Sequence, residues 1–161
     1  MSDIFMYDFG DGRGGVKARR HANGGGIVAL TATVADTAYI GENARVFGKA
    51  KVYENAWVNG NAQVSGNARV FNDAQVYEDA WVYGNARVFG NAKVYEKAWI
   101  YGNARVYGDA QVSGNAKVYE YAWVYGNAKV SGNANIHENA KVYGDMQVLS
   151  DMSGDEQLPS V

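Results

Sequence analysis

The chain has no cysteine, and among its 161 residues only one proline, Pro159. Without cysteine there are no disulfides and no thiolate metal sites, and a reducing compartment is compatible with the composition. With proline almost absent, turns must be made by residues that tolerate positive φ, and the chain holds 20 glycines. No apolar run approaches the roughly 18 residues of a membrane span. The opening, MSDIFMYDFGDGRGG, lacks the positive start and long apolar stretch of a secretion signal. A cytoplasmic protein with no membrane partner is therefore expected. The formal net charge is only -2, so any electrostatic recognition must come from local arrangement of charges rather than from a global field. The length suits one domain with a modest core.

What the chain has in abundance is a period. From Val28 an aliphatic residue recurs every six positions, through Val34, Ile40, Val46 and Val52 to Val142 and Val148. Two residues earlier sits alanine in most units, from Ala32 and Ala38 through Ala140. The remaining positions carry turn pairs such as Gly66-Asn67, Gly108-Asp109 and Glu54-Asn55. Residues two apart on a strand point to the same side, so alanine and valine share an inward face. Valine and aromatic residues favour the pleated conformation, and glycine and asparagine suit sharp corners. The spacing is not 3.6, and glycine recurs too often for a helix. Three units closing a triangle make an 18-residue coil, and coils stack through parallel ladders about 4.8 Å apart.

The residues flanking each valine then point outward, and sorting the units by threes gives three faces. One carries a column of Tyr53, Phe71, Phe89, Tyr107, Tyr125 and Tyr143 beside a column of Lys51, Arg69, Arg87, Arg105, Trp123 and Lys141. The second carries Phe47, Tyr83, Tyr101 and Tyr119, with Trp81 and Trp99 on adjacent coils. The third begins aromatic, with Trp57, Tyr77 and Tyr95, and ends in Ser113 and Ser131. Columns of this kind predict contiguous apolar area greater than a soluble monomer ordinarily exposes, in the Arg/aromatic composition of interface hot spots. Mutual stacking along the ladders is the structural alternative. Each tryptophan also has a glutamate three residues before it, as in Glu54–Trp57 and Glu120–Trp123, which suggests a role local to those corners.

The ends differ from the middle. Residues 1–27 hold a short apolar strand candidate (Ile4, Phe5, Met6, Tyr7, Phe9), glycine loops and the basic run Lys17, Arg19, Arg20. They are assigned as an N-terminal cap, because an open solenoid end exposes unpaired strand edges. Residues 28–149 form the repeat, and residues 150–161 an acidic tail expected to be disordered.

The Ala-x-Val hexads resemble the hexapeptide-repeat family over residues 28 to 149, about three quarters of the chain. The resemblance implies an all-β fold, a left-handed parallel β-helix of about seven 18-residue coils in a triangular solenoid. The handedness comes from that resemblance alone, since it opposes the usual crossover rule. Aromatic residues after the aliphatic depart from the family, where that position is usually small or acidic. The run DFGDGRGGVKARRHANGGG, followed by hexads, resembles openings of uncharacterised repeat proteins of bacterial and prophage genomes. That resemblance implies a phage-encoded interaction protein in the cytoplasm of a bacterial host, with inhibition of a host defence component as one task it could serve.

Family members of known activity are mostly acyltransferases that use acyl-CoA and a histidine base. The resemblance therefore makes His137 the one weak catalytic candidate, and acyl-CoA the one alternative cofactor. His137 lies in a regular hexad, where it takes the place of a tyrosine. No loop interrupts the hexads between Val28 and Val148. A zinc site of the carbonic anhydrase type needs three histidines, and the chain has His21 and His137 only. Regular threonine columns for ice binding are excluded, since threonine stops at Thr37. Gly10-Asp11-Gly12-Arg13-Gly14-Gly15 has the form G-x-G-x-x-G but precedes no helix, so it reads as a cap loop. Asp73, Asp109 and Asp145 align along one edge with one carboxylate per rung, too few for calcium. No metal and no resident cofactor are expected.

The functional reading is a binding or assembly protein, a homo-oligomer or the partner of another protein. Its interface residues would be Lys51, Tyr53, Arg69, Phe71, Arg87, Phe89, Arg105, Tyr107, Trp123 and Tyr125, with Trp81, Trp99, Tyr83 and Tyr101 on the next face. A glycan or polyanion bound to the Arg/Tyr columns is a third reading.

Overall fold

The computed structural model describes residues 3–154. Strands β1 (Ile4–Asp8) and β2 (Gly15–Arg20) form an antiparallel hairpin, and β2 pairs antiparallel with β3 (Ile27–Ala29). From β4 (Thr33–Val34) and β5 (Tyr39–Ile40) onward, two-residue strands recur every six positions as far as β23 (Gln147–Val148). They are shorter than the roughly four residues a typical strand would need, because the corners take the rest of each hexad. Among the described residues there is no helix.

The strands build three sheets, each gaining one strand per turn of the chain. Strands β3, β4 and β5 each begin a series of seven, giving seven coils, and β1 and β2 extend the sheet of β3 to nine strands. Every pair in the repeat is parallel, with residues 18 apart in register: Lys51 beside Arg69, Arg69 beside Arg87, Trp81 beside Trp99. This is the parallel β-solenoid that the hexads require, consistent with the left-handed β-helix of the resemblance.

The interior follows from the alternation. Alanine and valine or isoleucine of every hexad, from Ala38 and Ile40 to Ala134 and Ile136, are fully buried in one continuous core. The small residue lies at the corner and the branched one fills the axis, so each coil contributes the same three pairs. Overpacking any alanine would therefore strain two neighbouring coils as well as its own.

The cap works on one face. The β1–β2 hairpin continues the β3 sheet beyond the first coil, and Phe9 is buried against the ring of Phe47, with centroids 4.7 Å apart. The strand read from Ile4 to Phe9 is β1, and the glycine-rich segment is its hairpin loop, with Gly10, Gly12 and Gly14 at positive φ. A second attachment runs through the loop after β2. Asn23 and Gly26 exchange backbone hydrogen bonds with Ile40, and buried His21 reaches the carbonyl of Ala38 with Nε2 at 3.0 Å.

At the other end, the segment read as a tail begins inside the structured part. Met152 is buried, bridges to Ile136, and exchanges backbone hydrogen bonds with Asn135 and His137. Asp151 accepts hydrogen bonds from the backbone and side-chain amides of Asn135. One apolar side chain thus covers the last coil on the β3 side. The remainder of that tail, residues 155–161, lies outside the described residues.

Candidate functional site

The outward columns are placed by the ladder. Because successive coils pair in register, a residue type repeated every 18 positions stands directly above its predecessor. On the face of the β4 sheet, Lys51, Arg69, Arg87, Arg105, Trp123 and Lys141 form one column. Two residues along each coil stand Tyr53, Phe71, Phe89, Tyr107, Tyr125 and Tyr143. Their rings stack face to face, with centroids 4.8–5.1 Å apart and planes 2–4° apart from Tyr53 to Tyr125. Tyr143 ends the column at 5.6 Å and 20°. On the face of the β3 sheet, Tyr83, Tyr101 and Tyr119 stack in the same way, and His137 continues the stack 5.2 Å from Tyr119. Beside them Trp81 and Trp99 stack at 5.5 Å, with the Lys117 ammonium 5.1 Å from the centre of the Trp99 ring.

This geometry changes what the columns can offer. Inside a stack both faces of every ring are already covered by its neighbours, so what meets solvent is ring edges. Most of these rings are only half-exposed, and of the aromatic residues only Trp81, Tyr121 and Tyr143 are exposed outright. The apolar area expected from the sequence is accordingly reduced to a ridge. Burial within the stacks pushes the hydroxyls of Tyr83, Tyr101, Tyr107 and Tyr119 above their ordinary pKa, so they stay neutral donors.

The cations keep their freedom. Among the described residues the ion pair is Arg13 with Asp11, and the His137 ring lies 4.0 Å from the Glu138 carboxylate. Among the described residues none of Lys51, Arg69, Arg87, Arg105 and Lys141 has a carboxylate partner. Lys51, Arg69, Arg87 and Arg105 stand on consecutive rungs about 4.8 Å apart along the axis, and Trp123 separates Arg105 from Lys141. Arg105 and Lys141 are partly accommodated by Trp123, over whose ring they sit at 4.9 and 5.4 Å.

The stacking and cation contacts of the tryptophans run along the axis, and Trp81 also meets Tyr83 of its own coil edge to face. Trp57 lies between Tyr39 and Tyr77, Trp81 on Trp99, and Trp123 between Arg105 and Lys141. The glutamates that precede them act along the axis as well. Glu54, Glu78, Glu96, Glu120 and Glu138 occupy left-handed backbone with φ of 56–60°, a conformation that costs a non-glycine residue roughly 1–2 kcal/mol. The ladder gives the amide at these corners no backbone partner. The Glu54 carboxylate accepts the Asn72 amide at 2.8 Å, Glu78 that of Glu96 and Glu120 that of Glu138, both at 2.7 Å. Glu96 accepts the amide of Gly114. The pairing between glutamate and tryptophan in sequence is thus two separate axial contacts. The signal available was the 18-residue recurrence of these corners, as in Glu78–Glu96 and Glu120–Glu138.

The corner acids are arranged against cation binding. Along one edge Asn55, Asp73, Asn91, Asp109, Asn127 and Asp145 alternate, and each asparagine donates to the aspartate one coil on, at 3.2, 2.9 and 3.0 Å. Carboxylates are therefore two rungs apart. Among the described residues no three His, Asp or Glu gather into a metal-holding cluster, and none of their helices could cross a membrane, there being none.

Four segments, residues 62–78, 80–96, 98–114 and 110–126, match the YdcK β-solenoid repeat. No curated protein matches the chain. Among solved structures, the chain is similar to a mutant of perosamine N-acetyltransferase from Caulobacter crescentus in complex with CoA and GDP-perosamine. The identity is 14%, the TM-score 0.29, and the match covers 73% of this chain and 56% of that one. The chain thus spans a little over half the length of that protein, and likeness at this level carries no functional argument. The chain is a β-solenoid repeat protein.

Proposed function

We propose that the chain is a non-catalytic binding and assembly module that engages a second copy or another protein through the face of the β4 sheet. The observation that supports this most is the column of Lys51, Arg69, Arg87, Arg105 and Lys141, free of carboxylate partners and flanked by an aromatic ridge. Five cations held in register repel one another, and a surface that keeps them so is suited to an acidic, flat partner. Arginine and aromatic side chains are also those that dominate interface energies. Residues 8–26, which resemble prophage-encoded repeat proteins, support a partner within an infected bacterial cell.

The ring geometry weighs against the glycan and single-stranded polyanion readings. Sugars and bases stack on ring faces, and inside the stacked columns those faces are occupied, which leaves no continuous track of open rings. The acyltransferase reading has no observation in its favour. His137 is one more ring of a stack, its Nδ1 4.0 Å from the Glu138 carboxylate, too far for a hydrogen bond.

The test is size-exclusion chromatography with light scattering, alongside capture of proteins from host cells, for the wild type and for Arg69→Glu/Arg87→Glu/Phe89→Asp. Assembly or a specific partner should be lost in the variant while the circular dichroism stays that of the wild type. A wild-type chain that remains monomeric, and captures the same proteins as the variant, would sink the reading.

A further inference from the structure

The columns on the β4 face break at one coil, and both break together. In the cation column Trp123 stands where other coils carry lysine or arginine. In the corner column beside it, Asn67, Asn85, Asn103 and Asn139 are interrupted by Tyr121. The interruption has a consequence for hydrogen bonding. Asn67 donates to Asn85 at 3.2 Å and Asn85 to Asn103 at 3.3 Å, and the ladder stops there because tyrosine offers no amide oxygen. Among the described residues the Asn103 side-chain amide has no acceptor. Tyr121 is 61% exposed, and among the described residues it makes no ring–ring contact, so its face is free where nearly every other ring's is covered.

These residues enclose a groove of about 350 Å³ lined by Asn103, Arg105, Tyr121, Trp123, Asn139 and Lys141. Its chemistry is one-sided. The guanidinium and the ammonium stand on opposite sides of the indole, the Asn103 amide is unspent, and no carboxylate lines the groove. Such a set of donors favours an oxyanion, and the open phenol ring favours a flat group beside it.

We propose that this groove binds the phosphate monoester of a molecule with a flat ring, the phosphate at the Arg105 guanidinium and the Asn103 amide and the ring on Tyr121, with Lys141 adding its charge from the far side of the indole. The site is contained in one chain and does not depend on the protein interface proposed above. A free metabolite and a phosphorylated aromatic side chain share this chemistry, and the probes separate them.

The experiment titrates the full chain with AMP, phenyl phosphate and inorganic phosphate, following heat and the indole Nε1–H signals. Saturable binding of a ring phosphate, about tenfold or more tighter than inorganic phosphate, with the Trp123 signal moving, is expected. Preference for AMP points to a nucleotide-like metabolite, and preference for phenyl phosphate to a modified side chain. Tyr121→Asn rebuilds the amide column that the other coils use, so it should fold. It should reduce ring-phosphate affinity to that of inorganic phosphate, and Arg105→Gln should weaken all three. Inorganic phosphate binding as tightly as the esters would overturn the proposal. So would absence of saturation at millimolar concentration, or affinities unchanged in Tyr121→Asn.

Discussion

The carboxylate of Glu78 accepts a 2.7 Å hydrogen bond from the backbone amide of Glu96, the residue at the same corner one coil further on. Glu78 has a φ of 59°, where glycine is the usual occupant. The side chain offsets the strain of its own backbone by satisfying an amide that the ladder leaves unpaired. A charge-assisted bond of this kind contributes about 1.5–3 kcal/mol, against roughly 1–2 kcal/mol of left-handed strain.

That balance predicts an unusual order of stability. Glu78→Gly removes strain and bond together and should change stability little. Glu78→Ala keeps the strain and loses the bond, and should cost about 1.5–3 kcal/mol. Urea unfolding of the two variants checks this. An alanine variant as stable as the wild type would show that the carboxylate contributes nothing, and one as stable as the glycine variant that the backbone carries no strain.

Asn91→Asp would place three carboxylates, at 73, 91 and 109, on consecutive rungs and remove the bond Asn91 donates to Asp109. Each new like-charge neighbour at about 4.8 Å costs somewhat under 1 kcal/mol in water. We expect a loss of about 1–2 kcal/mol that shrinks in high salt, measured as the shift of the unfolding midpoint at two ionic strengths. A loss indifferent to salt would assign the effect to the lost hydrogen bond.

His21 ties the cap to the first coils and should make their union sensitive to acid. Its Nε2–H donates to the Ala38 carbonyl while Nδ1 is buried without a partner. Burial, ahead of the other influences, lowers its pKa below the ordinary 6.5. The folded state therefore resists the second proton more than the unfolded state does. The stability His21 confers is whole above pH 6.5, falls as pH drops below that, and levels off below the folded pKa. The slope is at most about 1.4 kcal/mol per pH unit. Hydrogen exchange of β2 and β3 amides between pH 5 and 7 reads this out, and His21→Gln, which can still donate to Ala38, should flatten it.

His137→Tyr would extend the stack that runs from Tyr83 through Tyr119. A melting temperature equal to or above that of the wild type is expected, together with no heat of binding from acyl-CoA at millimolar concentration in either protein. A wild type that binds or turns over acyl-CoA, with the variant inactive, would restore the transferase reading.

The hexad determined the three-sided parallel solenoid, though not its handedness. Alanine and valine two apart, with glycine or asparagine at the corner, fix inside and outside locally. A period of six then closes three sides with 18 residues per coil. The membership of each column, such as Lys51 with Arg69 and Arg87, follows from counting. What counting could not give is how side chains spend their contacts between coils. Whether a ring shows its face or its edge depends on how it leans along the axis, and the Tyr53–Phe71 pair leaned together and closed both faces. Whether a corner glutamate serves its tryptophan or the next coil depends on which backbone amide lacks a partner. That accounting exists only after the ladder has formed. The groove at Tyr121 and Trp123 arises for the same reason. Tyr121 and Trp123, breaks in two separate columns, became neighbours across a corner, where one left an amide unpaired and the other parted two cations.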